Sequence, residues 1–279
     1  MENIESLKLK NIKELAPKEQ NNKDVLILNL NFDKNQELEI YESDTDLDMN
    51  IIAEKNIQVD IGIIMKKERS TLKINTLVEE GANLRISCFT KKEITTTYET
   101  ECKENSRFEA INISLNTINS KTTTKLKNHA SCLIVNSYYN KESKHTTDIK
   151  DTVIHEGKNT KSLINSKGYL INSKADSRGL IIIRPEAFEA QGFQESNILL
   201  EGDSNAISVP DLEILNNEVK CSHGSTISRI KDEDLFYFES RGINKNDAKK
   251  IIIKGHILST VPETNPIINY AKKFIEEEI

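Results

Sequence analysis

Hydrophobic and polar positions alternate with a period of two along most of the chain from residue 25 to residue 215. V-L-I-L-N-L-N-F (25–32), L-E-I-Y (38–41), I-I-A-E-K-N-I-Q-V-D-I-G-I-I (51–64), T-L-K-I-N-T-L-V (71–78) and L-R-I-S-C-F (84–89) open the series. F-E-A-I-N-I-S-L-N (108–116), S-C-L-I-V-N-S (131–137), S-L-I-N-S (162–166), G-Y-L-I-N-S (168–173) and G-L-I-I-I-R (179–184) continue it. N-I-L-L (197–200) and L-E-I-L (212–215) close it. Such runs, bounded by Asn, Asp, Lys, Glu and Gly, predict short strands. Their Ile, Val and Thr suit a pleated, half-buried surface. An all-β architecture over roughly 200 residues follows.

The last 49 residues change period. D-E-D-L-F-Y-F-E-S predicts a short helix stopped at Gly242. Asn244 can cap the next helix, with Asp247 three residues on. Its predicted apolar face is Ala248, Ile251, Ile252, Gly255 and Leu258. Asn265-Pro266 opens a final helix, with Ile268, Ala271, Phe274 and Ile275 inside. Glu276 to Glu278 oppose the helix dipole at its end, so a frayed terminus is expected. The division is therefore an N-terminal arm or helix (1–24), a β core (25–230) and a C-terminal helical domain (231–279).

A β-sandwich usually carries Gly/Pro turns and core aromatics. This chain has 10 Gly, 5 Pro and no Trp, and its connections lean on Asn, Lys and Ser. The polar tracts T-T-T (95–97, 122–124) and I-N-S (118–120, 164–166, 171–173) suit the stacked rungs of a β-helix, where Asn and Thr form ladders.

With 37% hydrophobic and 29% charged residues the chain can bury a core. A net charge of −6 argues against general nucleic-acid binding. No apolar run approaches the ~20 residues of a membrane span, and the N-terminus lacks a signal-peptide core, so a cytoplasmic protein is expected. Cys88, Cys102, Cys132 and Cys221 form no C-x-x-C pair, which excludes a disulfide-dense fold.

Cys221 and His223 make the best metal-ligand pair. Two residues apart on a strand, they share a face at about 7 Å spacing. Thiolate and imidazole suit a soft metal or an iron–sulfur cluster. One pair cannot complete a four-ligand site. Either Cys221 is a buried cysteine beside a strand-end histidine, or further ligands come from another segment or subunit. His129, His145, His155 and His256 form no helical pair and no H-E-x-x-H. Neither a P-loop, nor G-x-G-x-x-G, nor G-x-S-x-G is present. Glu93, Glu99 and Glu101 could line a carbohydrate groove of a binding protein or lyase, or simply form a solvated strand face.

The segment C-S-H-G-S-T…L-F-Y-F-E-S-R-G-I…A-K-K-I-I-I-K-G resembles the SufB/SufD family of iron–sulfur assembly scaffolds. Cys221, His223, Gly224, Thr226, Leu235, Phe236, Tyr237, Ser240, Arg241, Gly242, Ile243, Ala248 and Gly255 carry the match. S-R-G-L-I-I-I (177–183) and N-I-L-L…V-P-D-L-E-I (197–214) support it. The resemblance implies a right-handed parallel β-helix with a small C-terminal α-helical domain. It also implies no enzymatic activity, and a transient iron–sulfur cluster that does not survive purification in air. Cys221 and His223 would ligate that cluster at an interface formed with a second copy or with a SufB-like subunit. Leu235, Phe236, Tyr237, Arg241, Gly242, Ile251 and Ile252 would dock a SufC-type ABC ATPase, whose closure would twist the dimer. The sequence departs from the SufB pattern in two places. Gly224 stands where an acidic residue follows the histidine, and Ser204 is the nearest counterpart of an acceptor cysteine. A structural subunit with Cys221 and His223 inert is the remaining alternative.

Overall fold

The computed structural model describes residues 9–11, 25–141, 146–265 and 267–278. The chain coils as a parallel β-helix. Odd-numbered strands stack into one sheet and even-numbered strands into the other, in sequence order and with every pairing parallel. The odd sheet contains β1 (Leu9–Asn11), β3 (Gln36–Ser43), β5 (Gln58–Met65), β7 (Asn83–Thr90), β9 (Arg107–Ser114), β11 (Ser131–Lys141), β13 (Lys161–Ile171), β15 (Gln191–Glu201) and β17 (Lys220–Ser228). The even sheet contains β2 (Val25–Phe32), β4 (Asp46–Ala53), β6 (Arg69–Val78), β8 (Glu93–Cys102), β10 (Ile118–Leu126), β12 (Thr146–His155), β14 (Lys174–Ile183) and β16 (Asn205–Ile214). The run read as one unit over 51–64 breaks at Asn56 into β4 and β5. Of the N-terminal arm, 1–8 and 12–24 lie outside the described residues, and Leu9–Asn11 pair with Ile40–Glu42.

The corners explain the shortage of glycine. Asn56, Gly81, Asn105, His129, Asn159 and Glu189 all have φ between +55° and +71°. Each donates its backbone N–H to a carbonyl of the following rung, at Glu80, Glu104, Asn128, Lys158, Phe188 and Glu218, over 2.8–3.0 Å. The left-handed region costs ordinary residues about 1–2 kcal/mol, and Asn tolerates it best after Gly. Asparagine therefore fills the corners that glycine takes in other turns.

The interior is apolar towards the early rungs, with Met49, Ile61, Leu72, Ile74, Leu84 and Ile86 among its fully buried side chains. Further along it becomes a polar seam. Tyr98 OH donates to Asn112 Oδ1 (2.9 Å), Asn112 Nδ2 to Asn136 Oδ1 (3.0 Å) and Asn136 Nδ2 to Asp151 Oδ2 (2.8 Å). Thr96 bonds Ser120, and Thr76 bonds Thr100. Outside, Asn75, Asn50 and Asn29 form the expected amide ladder. The I-N-S triplets do not stack on one another: 118–120 lies in the even sheet, 164–166 in the odd sheet, and 171–173 at a corner.

Three helices follow: α1 (Asp232–Glu239), α2 (Lys245–Leu258) and α3 (Ile267–Glu278). Asn244 caps α2 through Asp247 N–H, as expected. Helices α2 and α3 lie on the outer face of the odd sheet. Ile253, Ile257, Ile267, Ile268, Ala271 and Ile275 pack there with Phe89, Ile111, Ile113, Val135 and Tyr169. The apolar face of α2 thus differs from the predicted one: Ile253 and Ile257 are buried, whereas Ile251 is 47% exposed. Three consecutive isoleucines satisfy two helical registers, and packing selects one. At the α3 end the exposed Glu276 and Glu278 carboxylates meet Lys254 and Lys91.

Candidate functional site

The strand β17 is last in its sheet, as β16 is in the other. Among the described residues no further rung covers either. Side chains of successive rungs stack in columns, because parallel pairing in register places like faces together. Cys221 stacks on Gly192, His223 on Gln194, Ser225 on Ser196 and Ile227 on Ile198. Gly192, Gln194, Ser196 and Ile198 are all buried inward positions. Cys221 and His223 therefore occupy inward positions of the last rung, at the open end of the coil. Cys221 is half-buried and touches the interior cluster, whereas His223 is exposed.

Gly192, directly beneath Cys221, makes room for Ile181. A Cβ there would lie 2.8 Å from Ile181 and 3.5 Å from Cys221 Sγ. Burial raises the Cys221 thiol above its ordinary value, and a hydrogen bond from the Gly192 backbone pulls against that rise. The neighbouring Gly224 faces open space, and a Cβ added there would meet nothing within 4 Å. Ser204 is used at a corner, donating to the carbonyls of Glu201 (2.6 Å) and Leu170 (3.1 Å).

The other cysteines are enclosed. Burial pushes Cys88 and Cys102 up to about 12, and Cys132 well up. None is a ready thiolate. His129 occupies a left-handed corner, and His155 is fully buried between Thr160 (2.7 Å) and Ser162 (2.8 Å). His145 lies outside the described residues. Among the described residues, no three His, Cys, Asp or Glu side chains converge as a metal site. Cys221 and His223 stand as a pair of potential donors, two short of a four-ligand site.

The expected carbohydrate groove exists only as a shallow outer face of β4, β6, β8 and β10, lined by Asn50, Asn75, Glu99, Glu101, Thr123 and Lys125. Its carboxylates are Glu99 and Glu101, the latter paired with Lys103, while Glu93 lies off the groove and is paired with Arg69. The first cause acting on Glu101 is the Lys103 hydrogen bond, which lowers its carboxyl below the usual range.

A second surface lies on the helices. Phe236 is 70% and Tyr237 58% exposed, with Arg241 over the Tyr237 ring at 5.4 Å. Gly242 turns the chain at φ +83°. Ile251 is exposed and Ile252 half-buried, while Leu235 is buried within the fold and is not free to meet another protein. This surface is mechanically joined to the last rungs. Lys249 donates to Glu201 (2.5 Å), which also accepts from Tyr169 OH. Burial alone would raise the Glu201 carboxyl, but Lys249 and Tyr169 outweigh it and hold it below its ordinary value. His256 Nε2 faces the carbonyls of Gly168 and Asn197, both at 3.1 Å, so it carries the proton. Sequence reasoning missed Lys249, Glu201, Tyr169 and His256. Their pairing depends on how α2 lies across β13 and β15, which no local signal encodes.

Residues 34–256 match the family model described as SUF system FeS cluster assembly, SufBD core domain. The iron–sulfur cluster assembly protein SufD of Escherichia coli is 34% identical over 139 residues, 47% of this chain and 32% of that protein. An iron–sulfur cluster assembly SufBD family protein of Synechocystis is 36% identical over 115 residues, 40% of this chain and 24% of that protein. A chloroplastic SufBD family protein of Arabidopsis thaliana is 36% identical over 110 residues, 39% of this chain and 20% of that protein. The matched stretches span a third or less of these relatives.

Proposed function

The chain belongs to the SufBD family of the SUF iron–sulfur assembly system, and from that premise we propose that it is a non-enzymatic scaffold on which a nascent cluster is built at the open end of the β-helix. The observation that carries this reading is the placement of Cys221 and His223 on inward columns of the last rung. The cluster is cargo, held by one soft and one borderline ligand from each contributor.

Two open strand edges, β16 and β17, favour pairing with another protein, since unpaired strand edges seek partners. An isologous interface repeats each residue, so two copies would bring two Cys221 and two His223 to one place, completing a four-ligand set. A SufB-like subunit meeting the same edges would serve equally. Phe236, Tyr237, Arg241 and Ile251 form the docking surface for a SufC-type ABC ATPase, which supplies the hydrolysis. Movement of α2 reaches the last rungs through Lys249–Glu201–Tyr169 and through His256. The same reading places the chain in the cytoplasm. Among the described residues, no helix is long and apolar enough to cross a membrane.

The test is anaerobic reconstitution of the full chain with ferrous iron and sulfide, read by visible absorption. Wild type gains an iron–sulfur band that Cys221→Ala and His223→Ala each weaken. No band from the folded chain, alone or mixed with a SufB-like subunit and the ATPase, would overturn the reading.

A further inference from the structure

The outer face of the odd sheet is only half covered. Helices α2 and α3 lie over the later part of its strands, on Phe89, Val135 and Tyr169. The earlier part is open and forms a trough of about 690 Å³ across β9, β11, β13 and β15. Its outward side chains alternate with the inward Cys132, Ser162 and Gly192, so they stack in two parallel rows. One row is apolar. Leu133, Leu163 and Phe193 lie in register, between the buried Glu109 at one end and Ser222 at the other. Leu163 is 37% and Phe193 38% exposed.

The second row stands two residues earlier on each strand and reads Arg107–Ser131–Lys161–Gln191–Lys220. It sets a cation on every second rung, at β9, β13 and β17. Arg107 shares the Glu109 carboxylate with Arg85, each at 2.6 Å, and Arg85 also faces Asp60 at 3.8 Å. Among the described residues Lys161 and Lys220 have no ion-pair partner. At the neighbouring corner Lys158 stands over the exposed Phe188 ring at 5.7 Å. No carboxylate lines the trough among the described residues. Glu195, two residues beyond Phe193, faces Lys167 at 3.8 Å, and Glu189 and Glu218 belong to the corners outside. In a chain of net charge −6 this surface is both cationic and apolar.

Its spacing selects the shape of an occupant. Rungs lie about 4.8 Å apart, so the apolar side chains recur at about 4.8 Å and the cations at about 9.6 Å. One turn of an α-helix rises about 5.4 Å, and seven residues rise about 10.5 Å. A helix laid across the strands meets the apolar row once per turn and the cation row once every seven residues. The same sheet already accepts such an element on its other half, where α2 lies over β11 and β13.

We propose that this trough docks an amphipathic helix of a partner protein, its apolar side on Leu133, Leu163 and Phe193 and its carboxylates, seven residues apart, on Arg107, Lys161 and Lys220. Charge complementarity and the match of helical rise to rung spacing carry the assignment. The cation row ends at Lys220, the residue before Cys221 on β17, so the docked helix reaches the open end from outside the coil. The surface stands whether or not Cys221 and His223 hold a cluster.

The experiment is fluorescence anisotropy of a labelled helical peptide titrated with the full chain at low salt. The peptide carries glutamates at intervals of seven and, beside them, leucines at alternating intervals of three and four. It should bind roughly tenfold more tightly than a version with lysine in place of every glutamate. Phe193→Ser should weaken binding roughly tenfold. Lys161→Glu should weaken the acidic peptide and strengthen its lysine counterpart. Both positions are exposed, so the fold is retained, which circular dichroism checks. Equal binding of the two peptides overturns the proposal, and so does binding that neither variant changes. A dimer of the chain that both variants dissociate, read by sedimentation, would give the face to a second copy instead. Attachment to phosphatidylglycerol vesicles that both variants abolish, with no peptide binding, would give it to a lipid surface. Either result overturns the helix assignment, and neither touches the iron reconstitution.

Discussion

Asp151 and His155 lie on the same inward face of β12 and bias stability in opposite directions with pH. Burial raises the Asp151 carboxyl from an ordinary 3.8 to about 7 and lowers the His155 imidazole from 6.5 to about 4. For Asp151 the folded state holds its proton more tightly than the unfolded chain. Its contribution is complete below pH about 4 and is lost as pH rises through about 7. Each pH unit costs about 1.4 kcal/mol, and the whole window about 4 kcal/mol. For His155 the unfolded chain binds the proton better, so stability is complete above pH 6.5 and is lost as pH falls towards 4, by about 3 kcal/mol in all. Between pH about 4 and 6.5 the two slopes cancel, and these two groups leave wild type nearly flat there.

Asp151→Asn removes one slope and leaves the other. The amide keeps the side-chain shape, and its carbonyl can still accept from Asn136 Nδ2, so the fold is retained. The absolute effect mixes a lost ionisation penalty with an imperfectly satisfied amide, but its pH dependence isolates the carboxyl. The stability of the variant minus that of wild type should rise by about 1.4 kcal/mol per unit between pH 5 and 7, then level off above pH 8. Urea unfolding at pH 5, 6, 7 and 8 reads this, followed by circular dichroism or tyrosine fluorescence, as the chain has no Trp. A difference that stays constant from pH 5 to 8 would refute the buried, proton-holding carboxyl.

Two further outcomes follow from the backbone and the caps. Glu189 has φ +57° at a corner where four of the six equivalents are Asn or Gly, so Glu189→Asn should raise stability by about 0.5–1 kcal/mol in the same urea assay; a loss of stability would contradict the strain argument. Asn265 is fully buried, accepts from Ile267 N–H (3.0 Å) and donates to Ser87 Oγ (2.9 Å), fixing the start of α3 against β7. Asn265→Ala should cost about 2–3 kcal/mol locally, from the lost cap and a stranded Ser87 hydroxyl, and speed amide exchange in α3 while the strands stay protected.

The alternation of apolar and polar residues made the strands legible, and the scarcity of Gly, Pro and Trp turned the choice from a sandwich towards a β-helix. The 24–25-residue rung was legible too, in the corner positions Asn56, Gly81 and Asn105, but only to an eye that treats Asn and Gly as one residue type. It then lengthens to 30 residues between Ser131, Lys161 and Gln191, which erases any fixed period. The strand β12, T-T-D-I-K-D-T-V-I-H, was the hardest to see. Its inward side is Thr147, Ile149, Asp151, Val153 and His155, and no apolar alternation survives.

The candidate site shows where local reasoning stops. Spacing placed Cys221 and His223 on one face of a strand, and the structure puts them in columns over Gly192 and Gln194. One rung deeper, the same columns hold Ser162 and Ile164, both buried. The difference between a core position and a ligand position here is not residue chemistry alone, because every inward side chain of β17 would be core if one more rung followed. It is the ending of the coil that exposes them. The chemistry then decides what that exposure can do: a thiol stacked over a glycine and an imidazole standing in the open are both within reach of groups a partner would bring.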